Sequence, residues 1–563
     1  MFMKKIVQLA LLLLVTEASI AQSPFIKRNM DDALLLERLD VLNGRVSDTL
    51  LTSIEGMPAK DVVAFLERYL ETHAASLSVQ DKRDIKKYIS QYGEWAADAQ
   101  GAQASKKPIL DVLYQKKPDL FNYSRNGNTF VINPVIHYQQ LFETAADTQN
   151  MFVNTRGLEA RGVLKNRVGF YTIFADNQER GPLHWQHYVA TRGQVPGNAF
   201  HKTFKPEKAG IARDYLYAAG YIDAEVIKNT LNVSFGQDRF HIGDGYRSLF
   251  LSDFGTNYTF LKLNTKLWKF NYQNLFMELV PQFRRRGDNL VPRKYAAMHH
   301  LSINATKWLN IGVFESVIFS RKDHFDFSYM NPIIFYRAIE QFNGSPDNAL
   351  MGLNFKINTR FQTQFYGQVI LDEFKFSELK ARDGWWANKY GFQLGGKIVD
   401  PLGIKHLLLQ AEMNIVRPFT YSRDSVTNYT HYNQVMAHPY GANFAELNLI
   451  ARYKPIDRLY LTGKAFYNRQ GRDTLSAVAM GGDIFKDYRS RMNERGYFMF
   501  SGYPSSVKFL NFNASYELKD NLFIDLGATY RKEYSTHPHQ PSYASMQLYT
   551  GFRLNAVRRQ YDY

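Results

Sequence analysis

The stretch from Asn443 to Asn468 constrains the fold of this chain more than any other. Its first half alternates apolar or aromatic residues with mostly polar ones, from Ala445 to Tyr453, and the alternation resumes after a turn at Pro455 to Asp457. A two-residue period is typical of a strand with one apolar face and one polar face, so the stretch predicts a β-hairpin. Strands of about ten tilted residues can cross a bilayer. A chain built from such hairpins is therefore either a membrane barrel or a large soluble β protein.

The composition excludes a helical membrane protein but does not decide between a membrane barrel and a soluble β protein. Beyond its N-terminus the 563-residue chain has no run of about eighteen uninterrupted apolar residues, which excludes a helical membrane protein. Aromatic residues make up 15% of the chain, with 36 Tyr and 41 Phe. Two aromatic girdles around a lipid-facing band would require such a content. A large lectin-like or propeller protein can also be rich in Tyr, so composition does not decide between the classes.

The N-terminus has the pattern of a secretory signal peptide. Lys4 and Lys5 precede an apolar run from Ile6 to Val15, and small residues at Ser19 to Ala21 allow cleavage before Gln22. We therefore predict export, with residues 1–21 removed. The chain has no cysteine, which excludes disulfides and lipidation at a cleavage-site cysteine.

The exported protein is basic. Loss of two Lys and one Glu with the signal peptide lowers the formal net charge from +16 to +15. This charge favours anionic partners such as acidic polysaccharide or lipopolysaccharide phosphates, although solvated loops also account for it.

Residues 22–107 have a helical rather than a two-residue period. Pro58 suits the first position of a helix, and Ser78 with Asp81 three residues later resembles a capping box. We predict three short packed helices that form a small periplasmic domain. This domain is either a structural cap or plug for the remainder of the protein, or a docking module for a periplasmic or outer-membrane protein partner.

From Thr129 onward the period is two, which predicts an all-β transmembrane barrel over residues 128–556. Eight tight polar turns imply sixteen strands, and an opening and a closing strand raise the number to about 18 antiparallel strands. The predicted turns lie near Lys165-Asn166, Lys228-Asn229, Asn264-Thr265, Thr306-Lys307, Asn358-Thr359, Pro401-Leu402-Gly403, Pro455-Ile456 and Lys519-Asp520.

Long connections alternate with these short turns and therefore lie at the opposite rim. They are predicted at about 177–222, 237–255, 278–294, 320–348, 373–387, 417–442, 469–505 and 533–544. Short periplasmic turns and long external loops are typical of a bacterial outer-membrane barrel, whereas a soluble sandwich has no reason to segregate them. We therefore predict a location in the bacterial outer membrane.

Two of the long loops are too apolar to be freely solvated. One is GDGYRSLFLSDFG (243–255), and the other begins NPIIFYRAIE (331–340), in which Arg337 and Glu340 are spaced to pair across one helical turn. We expect both loops to fold inward and to line or plug the lumen.

At these residues the chain resembles the Wzi-like capsule-assembly outer-membrane proteins, and among them most of all the RemB-like gliding-motility members of the Bacteroidota. The segments GDGYRSLFLSDFG and NPIIFYRAIEQFNGSPDNALMG (331–352) look like stretches that recur in that group. The resemblance covers roughly residues 128–556 and no motif of the helical N-terminus. It implies a barrel closed by inward loops that serves to retain or assemble surface polysaccharide, or surface adhesins used in gliding.

The candidate ligand-binding residues lie in the long loops. Arg284 and Arg285 belong to a basic run that suits an anionic glycan, and Trp385 and Trp386 offer an aromatic floor for a sugar. The candidates are Asp244, Tyr246, Arg247, Arg337, Glu340, Arg284, Arg285, Trp385 and Trp386.

No catalytic motif is recognisable. The chain lacks a Gly-rich phosphate loop, a nucleophile elbow and a zinc-protease helix motif, and we predict no cofactor or metal. The first hypothesis is a non-enzymatic barrel that binds or anchors surface polysaccharide. The others are an accessory of gliding or surface-protein assembly, a plugged porin and, last, an enzyme. The expected partners are outer-membrane lipid, lipopolysaccharide and surface polysaccharide, and no nucleic acid.

Overall fold

The structure is a computed structural model. The predicted signal peptide lies outside the residues that it describes, and so do the candidate ligand-binding residues Arg284 and Arg285. The described residues are 25–26, 33–50, 52–53, 56–97, 113–146, 150–165, 167–204, 212–282, 290–322, 324–332, 335–344, 346–474, 477–540 and 542–563.

Helices and strands are numbered here in chain order. The helices are α1 (Ala33–Leu42), α2 (Ala59–Thr72), α3 (Val79–Gln91), α4 (Leu183–Arg192), α5 (Tyr336–Phe342) and α6 (Phe376–Ala381). The strands are β1 (Phe121–Arg125), β2 (Asn128–Glu143), β3 (Met151–Leu164), β4 (Val168–Arg180), β5 (Lys202–Phe204), β6 (Ala212–Ile227), β7 (Leu231–Asp238), β8 (Tyr258–Leu267), β9 (Phe270–Leu279), β10 (Lys294–Asn304), β11 (Leu309–Phe319), β12 (Asn348–Asn358), β13 (Thr363–Glu373), β14 (Lys389–Val399), β15 (Leu407–Val416), β16 (Thr430–His431), β17 (Gln434–Val435), β18 (Phe444–Ile456), β19 (Leu459–Arg472), β20 (Tyr503–Lys519), β21 (Leu522–Ser535) and β22 (Tyr543–Leu554). No described helix is long and apolar enough to cross a membrane.

Within the described residues, eighteen antiparallel strands form a closed barrel, as the sequence predicts. Each strand pairs with its neighbours along the chain, and β22 pairs with β2 from Ile136 opposite Leu554 to Glu143 opposite Gln547. The short strand β1 pairs with the part of β2 that precedes this seam. The sheet therefore has no open edge along the wall, as a membrane-spanning sheet requires.

The two-residue period separates a lipid-facing surface from a lumen. On β18, Leu447 and Leu449 are 46% and 48% exposed, whereas Glu446 and Asn448 between them are 2% and 0% exposed. Apolar side chains are exposed in the same way around the barrel. Examples are Phe142, Leu158, Phe174, Ile222, Phe235, Leu353, Leu394, Leu510, Leu526 and Leu548. An apolar outer band with a polar interior is the pattern of a barrel that sits in lipid.

Short turns and long loops lie at opposite ends, and two turn predictions need correction. The chain does not turn at Asn264-Thr265, because β8 continues to Leu267 and turns at residues 268–269. Similarly, β18 includes Pro455-Ile456 and turns at 457–458. Polar residues at lumen-facing strand positions are of the same types as those found in turns, which explains the error at Asn264-Thr265. The predicted loop 177–222 is shorter, since the strands β4 and β6 occupy both of its ends.

Helices α1, α2 and α3 share one apolar cluster. The helix α2 follows Pro58, and Ser78 caps α3 by accepting a hydrogen bond of 3.0 Å from the Asp81 amide. The first helix ends at Leu42. The side chains that bring the helices together include Leu36, Leu39, Val62, Leu66, Tyr69, Ile85 and Tyr88.

Ion pairs hold the three helices against the short-turn end of the barrel. Arg38 lies 2.6 Å from Asp400, which is in the β14–β15 turn, and Lys454 lies 2.6 Å from Asp84. Further pairs of the same kind are Lys87 with Glu517, Lys266 with Asp61, Arg452 with Glu37 and Arg161 with Glu94. The barrel residues of these pairs lie in the β14–β15 turn and near the short-turn ends of β3, β8, β18 and β20, so the helices cover this end of the barrel.

Acid is expected to loosen this contact. Burial raises the pKa of Asp81, but the Arg38 guanidinium and the Ser78 hydroxyl outweigh burial and hold that pKa below its ordinary value. A carboxylate with a lowered folded-state pKa stabilises the fold above its unfolded pKa of about 3.9, and this contribution is lost as the pH falls through the folded value. We expect deuterium uptake by α3, corrected for the intrinsic exchange rate, to rise below about pH 4.

The variant Asp81→Asn should lack this acid step, and an identical step in the variant would contradict the assignment. The pKa of Asp84 is shifted in the opposite direction, and its effect on stability therefore has the opposite pH dependence. Burial raises its pKa despite Lys454, so its contribution is present at low pH and is lost as the pH rises through the folded pKa.

Candidate functional site

The β7–β8 loop enters the lumen, as predicted. The backbone amides of Tyr246 and Arg247 donate to the lumen-facing carboxylate of Glu412 at 2.6 and 3.0 Å. Phe250 from the same loop stacks on Phe314 of β11, with ring centroids 4.5 Å apart. The loop is therefore fixed to the wall at both β11 and β15, by aromatic and polar contacts respectively.

Arg247 is enclosed by acidic partners inside the lumen. Its guanidinium lies 3.6 Å from a carboxylate oxygen of Glu446 and 3.6 Å from one of Asp562, and it donates to the backbone oxygen of Asp562. Burial lowers the pKa of Arg247, but these two carboxylates outweigh burial and raise it above the ordinary value. Through these ion pairs, Arg247 links the β7–β8 loop to Glu446 of the wall and to Asp562 in the C-terminal residues.

Asp244 links the same loop to the helices. Its carboxylate lies 3.4 Å from the Lys356 ammonium and accepts hydrogen bonds from Ser53 at 2.6 Å and Thr52 at 3.1 Å. Lys356 also lies 3.3 Å from Asp40 of α1. Burial alone would raise the pKa of Asp244, yet Lys356 and the Ser53 hydroxyl lower it. Helix, loop and wall therefore share one buried charge cluster.

Residues 555–563, which follow β22, also fold back into the lumen, and the sequence reasoning missed this. Lys464 of β19 donates to the Asp562 carboxylate at 2.7 Å, and the Tyr561 hydroxyl donates to Glu179 at 2.7 Å. The only signal in the sequence is a basic and tyrosine-rich segment directly after the closing strand. Its acidic and basic partners are far away along the chain and come close only when the barrel is closed. The segment alone therefore does not predict where it lies.

A cavity of about 310 Å³ remains between this tail, the β7–β8 loop and the wall. Tyr171, Tyr217, Tyr221, Arg239 and His137 are among the residues that line it. Among the described residues, no group of three or more His, Cys, Asp or Glu side chains is placed to hold a metal ion.

Arg337 and Glu340 do not face the lumen, so the prediction for the second loop is wrong. Leu275 and Met277 of β9 belong to the lumen cluster, and Phe276 between them points outward. Tyr336 and Ile339 of α5 pack on Phe276 and on other outward-facing residues, Tyr295, Val317 and Phe319. The loop is as apolar as predicted, but it is buried against the outside of the wall, because the β7–β8 loop already fills the lumen behind these strands. Arg337 pairs there with Glu340 at 2.9 Å.

The two tryptophans of the β13–β14 loop differ in accessibility. Trp386 is only 7% exposed, its ring stacks on Tyr488 at 4.9 Å, and its indole nitrogen donates to Glu494 at 2.6 Å. This packing leaves it no free face for a sugar, so the predicted aromatic floor reduces to Trp385. Trp385 is half-buried and lies 5.7 Å from the Lys375 ammonium.

Charged side chains surround Trp385 at the long-loop end. Arg495 reaches over from the β19–β20 loop, lies 3.0 Å from Glu378 and also pairs with Asp383. We call Lys375, Glu378, Asp383, Trp385 and Arg495 the outer rim patch. Flat aromatic surface next to donors and acceptors of both charges is suited to a polar, hydroxyl-rich ligand.

The closed eighteen-stranded wall and its apolar outer band define the class of protein, a bacterial outer-membrane β-barrel. No family model matches the chain, and no curated protein matches it. Among solved structures, the chain is similar to Wzi, an outer-membrane protein involved in group 1 capsule assembly in Escherichia coli and described as a carbohydrate-binding β-barrel. The TM-score is 0.56 at 12% identity, over 96% of this chain and 100% of that one. At this identity the likeness shows a shared fold.

Other solved barrels match less well. The outer-membrane protein OprD of Pseudomonas aeruginosa has a TM-score of 0.41 at 10% identity, covering 76% of this chain and 94% of that one. Pseudomonas aeruginosa OpdK, solved with vanillate, has a TM-score of 0.42 at 9% identity, covering 76% and 98%.

Proposed function

We propose that this protein is a non-enzymatic outer-membrane barrel that binds surface polysaccharide, such as capsule, through the outer rim patch. The observation that carries the proposal is the partly open Trp385 ring beside Lys375, which shares the Glu378 carboxylate with Arg495, at the end where the long loops lie. A fold shared with a carbohydrate-binding barrel supports the same conclusion. The basic net charge of the chain favours an acidic polysaccharide.

The test is a binding isotherm with the barrel in lipid nanodiscs and acidic polysaccharide extracted from the surface of the producing cells. We expect Trp385→Ala to weaken binding about tenfold, which corresponds to about 1.4 kcal/mol and is within the range for loss of one aromatic contact.

Trp308→Ala is the matched control, because Trp308 is also partly exposed but lies beside a turn at the short-turn end. Equal affinities of wild type and Trp385→Ala would contradict the proposal, and so would an equal loss in the two variants.

The structure gives less support to the alternatives. A diffusion porin needs an open lumen, whereas the β7–β8 loop, the tail and the helices all pack inside or across this barrel. For residues 22–107, we propose the role of a cap, because charged side chains of the helices pair with residues at the short-turn end of the barrel. An accessory role in gliding or surface-protein assembly would require that the helices bind a partner. Affinity capture with residues 22–105 deleted tests this, since loss of captured partners would favour a docking role.

A further inference from the structure

The β11–β12 loop lies on the lipid-facing side of the barrel wall. We call its residues 324–332 and 335–342 the flap. Tyr329, Tyr336 and Ile339 of the flap are buried against the outward faces of β9, β10 and β11. Flap and wall together therefore form a second layer on one side of the barrel.

The wall beneath the flap is polar where lipid would require it to be apolar. Asn274, His299 and Glu315 lie side by side in register on β9, β10 and β11, and all three face outward. The next residue in the same row, Met351 of β12, is exposed and apolar, as are Leu301 and Val313 in the row closer to the short-turn end. An uncovered polar row at this level would lose its hydrogen bonds in lipid, which is strongly unfavourable.

The flap supplies partners for two members of this row, His299 and Glu315. The Glu315 carboxylate accepts a hydrogen bond of 3.0 Å from the Arg337 amide, and the Tyr336 hydroxyl is hydrogen-bonded to His299. Asn274, His299 and Glu315 are all buried. The polar row is thus matched to the flap, and the flap shields it from what surrounds the barrel.

The opposite face of the flap exposes three phenylalanines, together with the polar residues Ser328 and Arg337. Phe327, Phe335 and Phe342 are 79%, 66% and 88% exposed. The backbone beneath them is paired within α5 and with the wall, since the Tyr272 hydroxyl donates to the Pro332 carbonyl. A segment with satisfied backbone groups and an apolar face can lie in the interfacial region of a bilayer.

We propose that the flap is embedded in the outer leaflet and that its three phenylalanines contact lipid acyl chains. The argument is continuity: the flap rests on wall whose neighbouring outward residues, Leu301, Val313 and Met351, are themselves lipid-facing. The partner of this surface is lipid, and the flap replaces lipid as the covering of the polar row. This interaction surface is independent of the outer rim patch and of the proposed function.

Site-directed spin labelling tests the proposal, because the chain has no cysteine of its own. Phe335→Cys and Phe342→Cys each receive a nitroxide, and the protein is placed in nanodiscs. Collisions with oxygen, which concentrates in the bilayer, are compared with collisions with a soluble nickel chelate. We expect both labels to favour oxygen several-fold over the chelate.

Two reference sites calibrate the measurement. Leu353→Cys labels the lipid-facing wall on β12, and Met492→Cys labels an exposed position in the β19–β20 loop. Flap labels that behave like the one at residue 353 support the proposal. Labels that behave like the one at residue 492 overturn it, and labels that neither reagent reaches also overturn it, since the face would then be covered by protein. Phe327→Cys is a third site if one variant fails to fold.

Discussion

Replacing Lys356 with Met is expected to lower the free energy of unfolding by about 3–5 kcal/mol, the usual cost of removing one partner from a buried charge cluster. Lys356 is the cation between Asp40 of the helices and Asp244 of the β7–β8 loop, at 3.3 and 3.4 Å. Methionine preserves most of the side-chain volume, so the loss comes from two buried carboxylates that no longer have their cation. Urea unfolding in lipid vesicles, followed by Trp fluorescence, measures the difference.

The matched control is Lys405→Met, in which an equally long side chain is 69% exposed and lies 3.7 Å from Asp400. An exposed pair contributes about 0–1 kcal/mol, so this variant should unfold close to wild type. If the two variants were equally stable, the cluster around Lys356 would not hold helices, loop and wall together.

The second large effect is expected for Arg247→Met, which leaves Glu446 and Asp562 buried without their shared cation. We expect a loss of about 3–5 kcal/mol for the same reason, and here the loss is concentrated on the contact between loop and tail. Once that contact is released, the lumen should open. With residues 22–105 also deleted, so that the helices no longer cover the short-turn end, we therefore expect single-channel current in planar bilayers for the variant and little or no steady current for the same barrel with Arg247 intact.

Arg489→Met is the control, since the Arg489 side chain is 63% exposed and its partner Asp487, 3.1 Å away in the β19–β20 loop, is itself 34% exposed. It should leave both stability and current close to wild type. A barrel that conducts steadily with Arg247 intact would show that the lumen contents do not block it. A silent Arg247→Met variant would show that Arg247 does not retain them.

The strands were predictable because the period of two is a local property. Residues 445–453 reveal their lipid face and their lumen face without any knowledge of neighbours, and the closed wall follows from repeating such hairpins. The error at Asn264-Thr265 has a physical reason. The lumen side of the wall is polar here, with Asn264 in register with Asn232 and Gln273, so a lumen-facing strand position can take the same residue types as a turn.

The candidate site was predictable only in part, because the sequence indicates whether a loop is buried but not whether it packs on the inside or the outside of the barrel. The apolar content of Tyr336 and Ile339 indicates that their loop is buried, but β9 to β11 carry apolar side chains on both faces. No local pattern tells which face the loop covers. The position of residues 555–563 could not be predicted from local sequence either, since Asp562 and its partner Lys464 are 98 positions apart in the chain.

The position of residues 555–563 has a consequence for the order of folding. Asn555 hydrogen-bonds the β20–β21 turn at 3.1 Å, so the tail starts its path into the interior at the end where α1, α2 and α3 sit. Those helices would obstruct the entrance if they docked early. We therefore expect α1, α2 and α3 to dock against the barrel only after residues 555–563 have entered its lumen.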